Sequence, residues 1–184
     1  METDKDLLIY TYYHNNSNQY VCAGEWAQKR GIEPQFEFKF NGTSMAVIAG
    51  NRSYRYNLID CGIRTTNDSN MCYYLCLANI LKCEIDGRPI DTDTLATIYK
   101  KQLAPEAPKY AFAEEIQLKR AIAMFDIDLY VVVDGAQPDF EVSYDHIYNV
   151  TNYTSRTVFR PERSIILRNV DNAHYQLYMP EKIN

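Results

Sequence analysis

The chain has no long basic run. Its formal net charge is -5 over 184 residues. Binding nucleic acid through its phosphates needs a concentrated positive face, so nucleic acid is not an expected partner. No apolar run approaches the roughly 18 residues that a membrane-spanning helix needs, and no membrane partner is expected. The opening Met1-Glu2-Thr3-Asp4-Lys5-Asp6 has neither the basic start nor the apolar stretch of a signal peptide. A disulfide framework is also missing. Cys22, Cys61, Cys72, Cys76 and Cys83 are odd in number and irregular in spacing. Reduced thiols of this kind suit the cytoplasm. Cys72, Cys76 and Cys83 lack CxxC spacing and a nearby histidine, so neither a zinc site nor any other cofactor is expected. Internal repeats and low-complexity tracts are absent. Histidine is scarce, with only three in the chain.

What remains is an ordinary globular composition, 46% apolar, long enough for one domain with a sizeable core. The lead-in is strand-rich. Leu7 to Tyr13 is an apolar, aromatic run. Phe36 to Phe40 alternates as Phe-Glu-Phe-Lys-Phe, the period of a half-buried strand. Asn41-Gly42 then signals a hairpin, with Met45 to Ala49 returning. Tyr54 to Ile59 is a further strand, and Gly24 to Lys29 a short helix. After a polar cluster at Asn67 to Asn70 the texture changes. Cys72 to Leu81 reads as a buried helix opening just after that cap. Asp91 to Leu103 and Phe112 to Phe125 are amphipathic helices. Glu114-Glu115 at the start of the latter reads as a pair of helix-dipole partners. Ile127 to Asp134, Arg163 to Arg168 and His174 to Met179 are strands, and 136 to 160 is a loop. The expected class is α+β, with a strand-rich extension over 1–58 and the main domain over 59–184.

One cysteine stands in a chemically useful place. A thiol attacks a carbonyl as thiolate, and a helix N-terminus with a nearby imidazole favours that form. Cys72 opens an apolar helix directly after a polar turn. Cys76, one turn on, is expected to face the core, and Cys61 to be structural. Among the histidines, His14 lies in an Asn-rich stretch and His146 in an irregular one. His174 begins the last apolar strand and is the expected general base.

Three separated segments carry a resemblance. Cys72-Tyr73-Tyr74-Leu75-Cys76-Leu77-Ala78 follows a nucleophile, then apolar, aromatic and small residues. Phe112-Ala113-Glu114-Glu115-Ile116-Gln117-Leu118 is an aromatic-led helix ahead of the apolar strand at Ile127 to Val133. Ile165 to Leu167 is followed by a turn and His174-Tyr175-Gln176. In this order and spacing, over roughly 60 to 180, the chain resembles the ovarian-tumour (OTU) family of deubiquitinating cysteine peptidases. It departs from that family's pattern in three places. Asp68-Ser69-Asn70-Met71 stands where the family has Asp-Gly-Asn, and Asn70 is the residue able to adopt positive φ in place of the glycine. The glycines of the aromatic-led motif are gone. Gln176 stands where the family has Asn or Asp, two residues after the histidine. These departures mark a divergent member.

The resemblance implies a papain-like OTU fold, with a small central sheet packed between helices. It implies hydrolysis of the isopeptide bond after the C-terminal glycine of ubiquitin or a ubiquitin-like modifier, in the cytoplasm, or the host cytoplasm for a viral or pathogen protein. Cys72 would be the nucleophile and His174 the base. Asn172, Gln176 or Asp68 would orient the imidazole. Ser69, Asn70 and Met71 would form the oxyanion loop, and Tyr73, Phe112 and Tyr175 would line the channel for the tail. Two other readings stay open: an inactive OTU-like module that binds ubiquitin, and a cysteine peptidase of another substrate class, such as one that processes polyproteins.

Overall fold

A computed structural model describes residues 8–15, 20–21, 35–61, 70–106, 113–135, 144–154, 156–170 and 174–181. In chain order the strands before the first helix are β1 (Leu8–Asn15), β2 (Tyr20–Val21), β3 (Phe36–Asn41), β4 (Ser44–Ala49) and β5 (Arg52–Ile59). Helix α1 (Cys72–Ile80), the small hairpin β6 (Glu84–Ile85) and β7 (Arg88–Pro89), and the helices α2 (Thr92–Leu103) and α3 (Glu115–Phe125) follow. Then come β8 (Asp128–Gly135), β9 (Tyr144–Asn152), β10 (Ser164–Val170) and β11 (His174–Pro180). The expected helix over Gly24 to Lys29 lies outside the described residues.

Nine strands form one sheet in the order β2-β1-β9-β8-β10-β11-β5-β4-β3. All neighbours are antiparallel except β8 and β10, which are parallel. The strands of the lead-in thus enter the same sheet as the rest, β1 against β9 and β5 against β11. The class is α+β. The sheet is larger than expected, and among the described residues the helices pack on one face of it. One face carries Leu129, Val131, Ile165, Leu167 and Leu177 against residues of α1, α2 and α3. The core on the other face, among the described residues, is built from strands and loop alone.

The alternation of β3 explains this. Phe36, Phe38 and Phe40 are buried, while Glu37 and Lys39 are not. Gly42 at φ +60° makes the tight turn into β4, one position later than the Asn41-Gly42 signal suggests, so that Asn41 still pairs with Ser44. The phenylalanine rings meet residues from strands far away in the sheet order. Phe38 lies edge-on to Tyr130 at 5.5 Å, and Phe40 stacks on Tyr148 at 4.3 Å. The sheet therefore curls, and the β3–β4 hairpin closes over β8 and β9. Each such aromatic pair contributes about 0.5–1.5 kcal/mol beyond its buried area.

The stretch 136 to 160 is not all loop. It contains β9, a strand with weak alternation that has a ladder partner on both sides, β1 and β8. His14 and His146 consequently sit opposite each other in the β1–β9 ladder. A second unforeseen feature is Asp128, whose fully buried carboxylate accepts two hydrogen bonds from Arg160 at 2.8 Å. Arg156 also meets it, at 2.9 Å. These contacts pin the β9–β10 connection to the start of β8.

The helices follow ordinary end chemistry. Asp91 caps α2 by accepting from the Thr94 N–H at 3.0 Å. At the start of α3, the Glu114 N–H donates to Gln117 Oε1 at 2.7 Å, half of a capping box. Helix α1 is different. It is buried along Cys72 to Ala78, and its N-cap is Met71, which makes no side-chain cap bond. The expected polar cap is not there.

Candidate active site

Three elements converge at one end of the sheet. Cys72 is the first residue of α1, His174 the first of β11, and Asp60 follows directly on β5. The β5–β11 register pairs Ile59 with Leu177, so the next rung sets Asp60 opposite Gln176. Directly opposed residues on antiparallel strands share a face, and His174, two residues before Gln176, lies in the same row.

His174 Nε2 stands 2.9 Å from both Oδ1 and Oδ2 of Asp60. The Gln176 side-chain amide donates to Oδ2 of the same carboxylate at 3.2 Å. An ionised carboxylate only accepts, so the neutral imidazole that fits here carries its proton on Nε2. Nδ1 is then left as a basic lone pair. Asp60 thus makes the contact with the imidazole that was expected of Asn172, Gln176 or Asp68. Asn172 and Asp68 lie outside the described residues. Gln176 reaches the carboxylate, and the hydrogen bond of the imidazole runs to Asp60. A signal for Asp60 was present: an acid closing the Tyr54 to Ile59 strand. It becomes readable only once that strand is paired with the histidine strand.

The Cys72 sulfur accepts a hydrogen bond from the Tyr175 N–H at 3.4 Å. Burial pushes the thiol above its ordinary pKa, and the negative charge of Asp60 adds to that, while nearby backbone N–H groups, that of Tyr175 foremost, pull it down. The net direction is up. Cys72 therefore rests as a thiol, and a base must take its proton when it reacts. Cys72 is buried, while the His174 and Asp60 side chains keep 32% and 22% of their exposure.

Asn70, two residues before the nucleophile, has φ +46°, the conformation that glycine would otherwise supply. Met71 is the N-cap; Ser69 and Phe112 lie outside the described residues. Tyr73 cannot line a substrate channel. It is fully buried, its hydroxyl donates to the Gln117 carbonyl at 3.3 Å, and its ring packs on Tyr74 and Tyr175. Its apolar ring and satisfied hydroxyl make it a core residue. Tyr175 is half-buried beside the sulfur, with its own hydroxyl pushed up to about 12 by burial. Cys76 faces the core, and its Sγ donates to the Tyr175 carbonyl at 3.7 Å. The neighbouring Cys61 and burial push its thiol up. A cleft of about 400 Å³ opens at the opposite end of β5 and β11, between Ser53 to Tyr56 and Pro180-Glu181. It includes none of the residues above.

No protein-family profile matches the chain, and no curated protein matches it. Among solved structures it is similar to the OTU of Hazara virus, determined bound to ubiquitin, at 8% identity and TM-score 0.43, over 80% of this chain and 97% of that one. It is also similar to the viral OTU domain protease of Taggert virus, at 15% identity and TM-score 0.42, over 81% and 96%. The likeness is distant, and the chemistry below is taken from this chain's own side chains.

Proposed function

We propose that this chain is a cysteine peptidase of the OTU type. It would hydrolyse the isopeptide bond after the C-terminal glycine of ubiquitin or a ubiquitin-like modifier. One observation carries the reading: the Cys72 sulfur, at a helix N-terminus, lies 3.4 Å from the backbone N of Tyr175, the residue after His174, whose Nε2 meets Asp60. A nucleophile, a base and an orienting acid then come from three separate elements. The resemblance of Cys72 to Ala78 and of His174-Tyr175 to the OTU motifs supplies the substrate class.

In this mechanism Nδ1 of His174 takes the Cys72 proton as the sulfur attacks the glycine carbonyl. Asp60 stabilises the resulting imidazolium through Nε2. The N–H of Cys72 and the loop at Asn70 hold the oxyanion. The imidazolium then protonates the departing lysine amine, leaving a thioester on Cys72. Water adds to the thioester with His174 as base, and the carboxylate product leaves. No metal or cofactor takes part.

The rival reading, a binding module without activity, draws on the burial that keeps Cys72 protonated. One experiment separates the two. The protein and its Cys72→Ala variant are incubated with ubiquitin bearing a C-terminal electrophile, and the masses are read. An adduct on the parent alone supports the peptidase. No adduct, with Cys72 still alkylated rapidly by iodoacetamide, keeps a peptidase of another substrate class. No adduct and a sluggish thiol leaves the binding module.

A further inference from the structure

Gln176 stands two residues after the base, where the resemblance leads one to expect a residue acting on the imidazole itself. Its observed partner is different. The amide nitrogen lies 3.2 Å from Oδ2 of Asp60, and the imidazole lies 2.9 Å from both oxygens of that same carboxylate. The assignment of nitrogen rather than oxygen to this contact follows from the partner, because a carboxylate cannot donate. We infer that Gln176 is a positioning residue that acts through Asp60: its amide fixes the plane of the carboxylate, and the carboxylate in turn fixes His174. This rests on the peptidase reading above.

The register explains why an amide fits there. Asp60 comes just after β5 ends, and the continued register sets it opposite Gln176. Gln176 is the cross-strand neighbour in the right row, and its longer side chain reaches across to Oδ2. On the other side the register sets Gln176 against Arg168 of β10. Glu at 176, isosteric with Gln, would place a second carboxylate about 3 Å from Asp60. Two carboxylates that close cannot both stay ionised, and one would hold a proton. Glu at 176 would therefore spoil the arrangement in this chain.

A double-mutant cycle tests this. Parent, Gln176→Leu, Asp60→Ala and the double variant are compared for kcat and KM on ubiquitin carrying a fluorogenic C-terminal amide. The same four are compared for the rate of Cys72 alkylation by iodoacetamide, read by peptide mass. Asp60→Ala is expected to lower kcat by about 10²-fold or more. Gln176→Leu is expected to lower kcat by about tenfold with KM unchanged, the signature of misplaced catalytic groups. The double variant should be no slower than Asp60→Ala alone, since Gln176 has nothing left to hold. Gln176→Glu should lose activity as well, and it replaces the leucine variant in the cycle if that protein does not fold. A Gln176→Leu rate within twofold of the parent overturns the inference. So does a tenfold penalty that persists without Asp60. If the parent does not turn over the ubiquitin substrate, the alkylation rates carry the cycle, and the ubiquitin reading fails while the inference is still decided. If His174→Ala leaves alkylation unchanged, the peptidase reading and this inference fall together.

Discussion

The two faces of the sheet are closed by different means. On one face lie three helices, and the core is a mixture of Leu, Ile, Val, Ala and tyrosine. On the other the sheet curls onto itself, and the core is dominated by aromatic rings: Phe36, Phe38, Phe40, Tyr56, Tyr130, Tyr148, Phe159 and Tyr178. The helical face delivers a helix N-terminus, and with it Cys72. The aromatic face backs the row that holds Leu58 and Tyr178, which Asp60 and Gln176 continue. The candidate site lies where the two layers end together. Helix packing therefore places Cys72, and strand packing places Asp60 and Gln176.

This division predicts that chemistry and stability can be damaged separately. The largest effect is expected from His174→Ala. It should slow kcat/KM by about 10²–10⁴-fold while the melting curve stays close to that of the parent. A comparable loss of stability would mean that the site and the sheet end are one unit. The next effect is alkaline. Burial raises Tyr56 and Tyr73, and Tyr175 is pushed up to about 12. In the unfolded chain these phenols ionise near ~10. A group whose folded pKa is raised stabilises the fold below its unfolded pKa and loses that contribution as pH climbs through the folded one. Stability should hold to about pH 9, then fall through about pH 10 to 12 as both faces charge, a course that circular dichroism would follow.

A smaller effect falls on one face alone. Phe38→Ala removes a fully buried ring from the aromatic core. It should cost about 3–5 kcal/mol in denaturant titration, with kcat per folded molecule retained. Loss of kcat in the folded fraction would show that the aromatic face reaches the chemistry. The smallest effect is expected from Tyr73→Phe, which removes only the hydroxyl that donates to the Gln117 carbonyl. About 1 kcal/mol of stability should go, with activity unchanged. A marked fall in activity would restore Tyr73 to a role in the channel.

Much of the frame was legible because local pattern and tertiary role agree there. The Phe-Glu-Phe-Lys-Phe alternation, the turn at Gly42 and the apolar run after Cys72 each specify their element unaided. Asn70 was readable for the same reason, since few residues tolerate its φ of +46°. Strand β9 was not, because its Asn- and Asp-containing sequence is held extended by ladders from β1 and β8. Tyr73 looked like a channel residue because an aromatic beside a nucleophile does not announce which way it faces. Asp60 escaped because its meaning depends on a register. Nothing near it in the chain says that Ile59 will pair with Leu177.

The order of strands has a consequence for how the molecule comes into being. Strand β11 sits between β10 and β5. It brings His174 to an acid 114 positions earlier in the chain, and the neighbouring Tyr175 amide to a sulfur 103 positions earlier. Joining ends that distant carries a loop-closure cost that local contacts do not, and such long-range pairing is slow to form. A chain emerging during synthesis would have Cys72 and Asp60 long before His174. The arrangement around Cys72 would be complete only when the gap between β10 and β5 is filled.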